Sequence, residues 1–247
     1  MYCGSKRPRI LWRLLKGVAL QLDRYLIRES VKTFLPGILH QEFVSNVAKA
    51  CGKSVAIIPW GVDASNSLPD ERDDYVVSVT SWKRQKGIEY LITLAERFPH
   101  LKIIVAGAWP DQKYFHEVKS EISVRHMDTQ VFLAGHVPQD ELNSLYRCAR
   151  VAIVVNAERG FGLSLIEAAA NGCPVIAPFE CGASHLFENG ISAVLYPHGD
   201  VEQLVESLEM LVSDKKKAYE IGAEAWRLVK ENFSWNVHAQ SLLNEML

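Results

Sequence analysis

The segment Asn156-Ala157-Glu158-Arg159-Gly160-Phe161-Gly162-Leu163 sets two glycines around one aromatic residue and runs directly into an apolar stretch carrying a single carboxylate, Glu167. Glycines so spaced let a backbone come close to a ligand. If the apolar stretch is a helix, its first N–H groups lack partners within the helix and lie at the positive end of its dipole. That arrangement suits a diphosphate. A glutamate inside the same helix is placed to accept hydrogen bonds from two hydroxyls of a sugar ring. Taken alone, a G-x-G string is equally an ordinary strand-to-helix turn followed by a surface glutamate. The surrounding elements therefore carry much of the weight.

From residue 75 onward, short apolar runs rich in Val and Ile recur at 75–79, 101–106, 130–133, 151–155 and 174–177. They are apolar on both faces, as strands of a parallel sheet covered by helices are. Segments with helical spacing separate them, which predicts βαβ units and an α/β, Rossmann-like, doubly wound parallel sheet. In such sheets ligands bind beyond the carboxyl ends of the strands, so the loop after 151–155 is where a ligand is expected. The tail is predicted helical near 201–212, near 215–231 and after Trp235. Residues 1–70 follow a different pattern. Apolar positions Ile10, Leu11, Leu14, Leu15, Val18, Leu22 and Leu26 predict a helix over 9–34, stopped by Pro36-Gly37, with a second helix over about 39–50. Ser54 to Pro59 reads as a short buried strand and Ser65 to Asp74 as a polar linker. The domain expectation is thus a reduced N-terminal helical segment with its linker, 1–70, and a Rossmann-like domain, 71–247.

With 247 residues, 48% apolar and 23% charged, the composition is that of ordinary globular chains. A net charge of −2 gives the whole molecule no bias toward nucleic acid. The first 33 residues nevertheless hold eight basic against two acidic residues. Over residues 6–28 this reads either as a membrane-surface helix suited to anionic lipids or as a surface helix packed on the domain. The five cysteines (3, 51, 148, 173 and 181) are irregularly spaced, with no CxxC pair and no Cys/His cluster. They are expected to be free thiols, with no structural metal. No apolar run reaches membrane-spanning length, and the expected location is cytoplasmic, with the inner membrane face an option.

The full string GFGLSLIEAAANGCPVIA resembles the signature of the retaining glycosyltransferases of family 4, which have the GT-B fold. Other segments are similar in order and spacing to the same family: Ser78-Val-Thr-Ser81-Trp-Lys-Arg84-Gln-Lys86-Gly-Ile, Leu101 to Gly107, Leu133-Ala-Gly-His136-Val, Leu142 to Ala149, and Gly182 to Gly190. The resemblance covers about 54–247 well and 1–53 weakly. It implies the C-terminal half of a GT-B enzyme, a nucleoside-diphosphate sugar as donor, and no cofactor or metal. It implies Glu167 on the ribose hydroxyls, backbone N–H groups of Gly162 and Leu163 on the diphosphate, and Lys86 neutralising that diphosphate as it leaves. Gly160 and Phe161 belong to the same loop, and His136 stands where nucleotide contact is expected. Three positions differ from the family pattern. Arg159 occupies the place of the first glutamate, with Glu158 one residue earlier; Ser81 stands for a phosphate-binding arginine, with Lys83 or Arg84 as stand-ins; and His185 replaces a glutamate. Residues 1–70 resemble only the last helices and strand of an acceptor domain. The resemblance thus implies sugar transfer with retention to a polysaccharide, lipid-linked or small-molecule acceptor. Its alternatives are a non-autonomous donor half working with a second chain and, last, a nucleotide-sugar epimerase.

Overall fold

A computed structural model describes residues 54–157 and 161–246 except Asp70, together with Tyr25, Thr33–Leu35, Asn46, Ala48, Lys49 and Gly52. The chain divides into two compact units, Met1–Pro59 with Ser241–Leu247, and Trp60–Gln240. In this division the stretch from Trp60 to Asp74 is grouped with the larger unit. Specific bonds tie this stretch down. Ser65 N–H donates to Ala170 O (2.9 Å), Trp226 Nε1 donates to Ser65 O (2.9 Å), and Val62 N–H donates to Phe233 O (2.8 Å).

Within the first unit, β1 (Thr33–Leu35) pairs in parallel with β2 (Val55–Ile57). Residues 33 and 34 are thus strand rather than the end of the helix expected over 9–34. Pro36 explains the change, because a proline pushes its preceding residue out of the α region, and Thr33 and Phe34 both suit a strand. The strand at Ser54 to Pro59 is present as β2, half-buried rather than buried. Tyr25, Asn46, Ala48 and Lys49 are helical. The rest of the two expected N-terminal helices, and with them the basic segment 6–28, lies outside the described residues.

The second unit is a six-stranded parallel sheet of β3 (Tyr75–Val79), β4 (Lys102–Ala106), β5 (Val131–Gly135), β6 (Val151–Ile153), β7 (Val175–Pro178) and β8 (Val194–Tyr196). Their order is β5-β4-β3-β6-β7-β8, with every pair parallel. Its helices are α1 (Ile88–Arg97), α2 (Gln112–Val124), α3 (Gln139–Cys148), α4 (Leu163–Ala170), α5 (Val201–Ser213) and α6 (Lys215–Asn232), followed by α7 (Trp235–Met246), which is counted with the first unit from Ser241 on. Adjacent strand residues serve opposite cores. Val76, Ile103, Val151 and Ile153 pack on one side with α1, α2 and α5; Val77, Ala152 and Val175 pack on the other with α3, α4 and α6. This is the doubly wound α/β arrangement that the alternating runs predict. The strand β8 was not among those runs. Three residues at a sheet edge carry too little periodicity to stand out.

Strand order fixes where a ligand goes. From β3 the chain proceeds outward to β4 and β5, then returns past β3 to β6 and continues to β7 and β8. Connections on the two sides leave in opposite directions, so a crevice opens beyond the carboxyl ends of β3 and β6. Two described stretches flank it, 80–87 and 161–163, and they hold Ser81, Arg84, Lys86, Phe161, Gly162 and Leu163.

Candidate active site

The loop after β6 reaches α4 through Gly162, which adopts a left-handed conformation (φ 82°, ψ 45°) at the helix N-cap. A Cβ at this position would lie 2.7 Å from Cys181 Sγ and 3.1 Å from Ala183 N. Both the backbone conformation and the close approach therefore demand glycine. No side chain caps α4. Its first turn consequently leaves N–H groups pointing toward the crevice, with the dipole's positive end behind them. Leu165, Ile166 and Ala168–Ala170 are buried, and Glu167 is the one charged residue on the helix.

Across the crevice, the loop after β3 is held from beneath by Trp82. Its indole is fully buried, donates to Ala106 O at 2.8 Å, and stacks on Trp109 with ring centroids 5.8 Å apart. Its backbone N–H donates to Ala108 O at 2.8 Å. Lys86 follows at the end of this loop and is only 5% exposed, so it is not the solvated lysine a helix start ordinarily carries. Gly87 (φ 81°) caps α1, and a Cβ there would meet the Tyr90 ring at 2.8 Å and Val155 O at 3.0 Å. Glycine thus lets the Lys86 loop close directly against the chain leaving β6, bringing the two flanking loops together.

Glu167 lines a pocket of about 250 Å³ with Gly61, Val62, Asp63, Gln139, Asn143, Leu163, Asn171 and Trp235. Among the described residues nothing pairs with its carboxylate. Burial accordingly raises its pKa from 4.5 to about 7. Tyr146 lies behind it, fully buried, with a hydroxyl that has no hydrogen-bond partner among the described residues. Burial first, and the Glu167 charge second, push the Tyr146 pKa far up, so it stays a neutral phenol. Among the described residues, no group of three or more His, Cys, Asp or Glu side chains is placed to hold a metal ion. No helix among them is long and apolar enough to cross a membrane.

A model of the glycosyl transferases group 1 family matches residues 63–227, two thirds of the chain. The chain belongs to this family. The group 1 chain is 25% identical over 257 residues to the GDP-mannose-dependent alpha-(1-6)-phosphatidylinositol monomannoside mannosyltransferase of Mycolicibacterium smegmatis, covering 94% of this chain and 65% of that protein. In fold it resembles sucrose-phosphate synthase from Thermosynechococcus elongatus (TM-score 0.81, 21% identity, 93% of this chain and 61% of that one). It also resembles Anabaena HepE in complex with UDP and glucose (TM-score 0.78, 19% identity, 93% and 66%). The chain spans between a fifth and two thirds of the length of the curated relatives it matches. Its architecture is that of the C-terminal, Rossmann-like domain of GT-B glycosyltransferases, as the signature string implied. The family match lends no support to the epimerase reading.

The structure gathers some of the sequence-selected residues and separates others. Lys86, Gly162, Leu163 and Glu167 all belong to the elements that border the β3/β6 crevice. Phe161 is buried at the mouth of α4 with its ring 5.9 Å from that of Trp60. Ser81 is exposed on the β3 loop. Arg84 is engaged elsewhere: it pairs with Glu117 at 2.6 Å and lies over the Tyr114 ring, 4.8 Å from its centroid. His136 is exposed and lines a separate groove of about 690 Å³ with Tyr75, Val137 and Glu141. His185 Nδ1 contacts Gly182 O at 2.8 Å, just past the segment that packs under Gly162. Glu158, Arg159 and Gly160 lie outside the described residues. Sequence reasoning missed Gln139, Asn143 and Asn171. Their signal was present as polar residues four apart on two successive helices, but only the packing of α3 beside α4 shows that the stripes face one pocket.

Proposed function

We propose that this chain is the donor-binding part of a glycosyltransferase that moves a sugar from a nucleoside-diphosphate sugar to an acceptor hydroxyl, with retention of configuration. One observation carries the reading: a largely buried, unpaired carboxylate, Glu167, stands one turn inside an uncapped helix whose N-terminus opens at the β3/β6 switch point. A diphosphate answers the helix end, and ribose hydroxyls answer the carboxylate. When the bond from the anomeric carbon to the phosphate oxygen breaks, negative charge develops on the departing diphosphate. The N–H groups of Gly162 and Leu163 and the ammonium of Lys86 offset that charge, and this differential stabilisation lowers the barrier. In this scheme they do what a metal ion would otherwise do, and no cofactor is required. Retention places the acceptor oxygen on the face the diphosphate leaves. Glu158 or Arg159 then addresses the donor sugar, and Ser81 stands at the phosphate-binding position of the β3 loop.

The relatives' names bear on the partners. HepE is seen with UDP, and the mycobacterial relative uses GDP-mannose and a phosphatidylinositol mannoside. A lipid-linked acceptor would fit the basic 6–28 segment held at an anionic membrane surface, on the cytoplasmic side. Calorimetry of the purified chain against UDP-, GDP- and ADP-sugars tests donor binding, and a transfer assay with lipid and glycan acceptors tests turnover. Binding of one class, abolished by Glu167→Ala, supports the proposal. Binding without transfer, restored by a second chain, assigns the acceptor side to that partner. No binding of any nucleotide sugar would sink the reading.

A further inference from the structure

Asn143 lies one turn into α3, directly across the 250 Å³ pocket from Leu163 and Glu167 on α4. Its amide orientation is set by its neighbours. Asn171 Nδ2 donates to the backbone oxygen of Glu167 at 2.9 Å, which identifies that end of Asn171 as the NH₂ group, because a carbonyl oxygen only accepts. The same Nδ2 lies 3.3 Å from one terminal atom of Asn143, so that atom is the oxygen. Gln139 Nε2 donates to the same oxygen at 3.2 Å. With Oδ1 taken by two donors, the Asn143 NH₂ is turned away from both, and among the described residues it has no partner. The Glu167 carboxylate in the same pocket likewise has none. One pocket thus presents a donor-only group and an acceptor-only group whose hydrogen-bonding capacity is unused.

A vicinal diol is the complement of that pair. Each hydroxyl donates one proton, to the carboxylate, and keeps lone pairs for an amide N–H. We propose that Asn143 is a second diol-reading residue of the donor site: its NH₂ donates to one of the two ribose hydroxyls whose protons go to Glu167. It makes the site select ribonucleotides over deoxyribonucleotides. The inference rests on the reading of this pocket as the ribose end of a nucleoside-diphosphate-sugar site.

Calorimetry with UDP, GDP and ADP, and with the 2′-deoxy and 3′-deoxy forms of the nucleotide that binds, tests it. Asn143→Ala should weaken binding of the ribonucleotide about 5-fold, the size of one net hydrogen bond. It should leave unchanged the affinity for the deoxy form that lacks the hydroxyl Asn143 contacts. Asn143→Leu, which keeps the volume but carries no donor, should show the same selective loss. Equal losses for ribo and deoxy forms would mean that Asn143 only braces Asn171 and would overturn the proposal. So would no change in either variant. If the wild-type chain binds none of the three ribonucleotides, the donor reading itself falls, and this inference with it. The two failures are told apart by the wild-type titration alone.

Discussion

Replacing Glu167 by glutamine should stabilise the free protein at neutral and alkaline pH while weakening donor binding. The folded-state pKa of Glu167 is about 7 against an ordinary 4.5, and burial is the cause. The folded state therefore binds this proton more tightly than the unfolded chain does. Below about pH 4.5 the carboxyl is neutral in both states and burial costs little. Between about 4.5 and 7 the unfolded chain gives up this proton while the fold still holds it, and stability is lost progressively. Above 7 the group is charged in both states, and the folded one bears the full desolvation. The difference between 4.5 and about 7 corresponds to about 3 kcal/mol. Glutamine fills the same volume without a charge, so the gain of Glu167→Gln should grow from near zero at acid pH to roughly 1–3 kcal/mol at pH 8. For a domain of this size that is about 2–4 °C in Tm for each kcal/mol.

The assay is urea unfolding of wild type and variant from pH 5 to 8.5, with the difference plotted against pH. The difference should climb steadily up to about pH 7 and level off above it. Donor binding should run the other way, because ribose hydroxyls donate to the ionised form. Nucleotide affinity of the wild type should rise with pH through 7, and calorimetry in buffers of different ionisation enthalpy should register a proton released on binding. Glu167→Gln should lose both features. A variant less stable than wild type at pH 8, or a stability difference that stays flat with pH, would refute the picture of a buried, unpaired carboxylate.

Three further outcomes follow from the geometry. Gly162→Ala forces a left-handed φ on alanine and drives its Cβ onto Cys181 Sγ, so it should cost roughly 1–3 kcal/mol in urea unfolding and reduce nucleoside-diphosphate affinity as the start of α4 shifts. Lys86→Met keeps the buried stem but removes the charge, and it should lower the transfer rate roughly 10²-fold or more with a smaller change in donor Kd, measured by single-turnover kinetics and calorimetry. Arg72 donates to the carbonyls of Arg147 (2.8 Å), Ala149 (3.2 Å) and Gly172, pinning the 61–74 segment to the ends of α3 and α4. Arg72→Met should leave those acceptors unpaired and destabilise the larger unit by roughly 2–4 kcal/mol in urea unfolding, with little effect on donor affinity measured well below the unfolding transition.

The fold was legible where strands are long and buried on both faces. Val-Ile runs such as Tyr75–Val79 and Lys102–Ala106 announce themselves, and with them the doubly wound sheet and the crevice at its switch point. It was illegible where three residues suffice for a strand. Val194–Tyr196 draws its strand state from β7 alongside it, and Thr33–Leu35 from β2 and the following proline, so neighbours rather than local periodicity decide them. The site divides the same way. Gly162, Lys86 and Glu167 stand out in the string by their types, their spacing and the family pattern they match. Invisible in the string is that Lys86 is buried, that Arg84 is drawn off to Glu117, and that Asn143 lines one pocket with Glu167 and is bonded there to Asn171. Those facts come from how α1, α3 and α4 pack, and they alter the chemistry. A surface glutamate near a glycine loop would be an optional hydroxyl acceptor costing nothing when empty. Enclosed without a cationic or hydrogen-bonding partner among the described residues, the same glutamate burdens the unliganded fold at neutral pH. A ligand whose hydroxyls supply the missing donors removes that burden on binding. On the proposed reading, part of the selectivity for a diol resides in the desolvation of that one carboxylate.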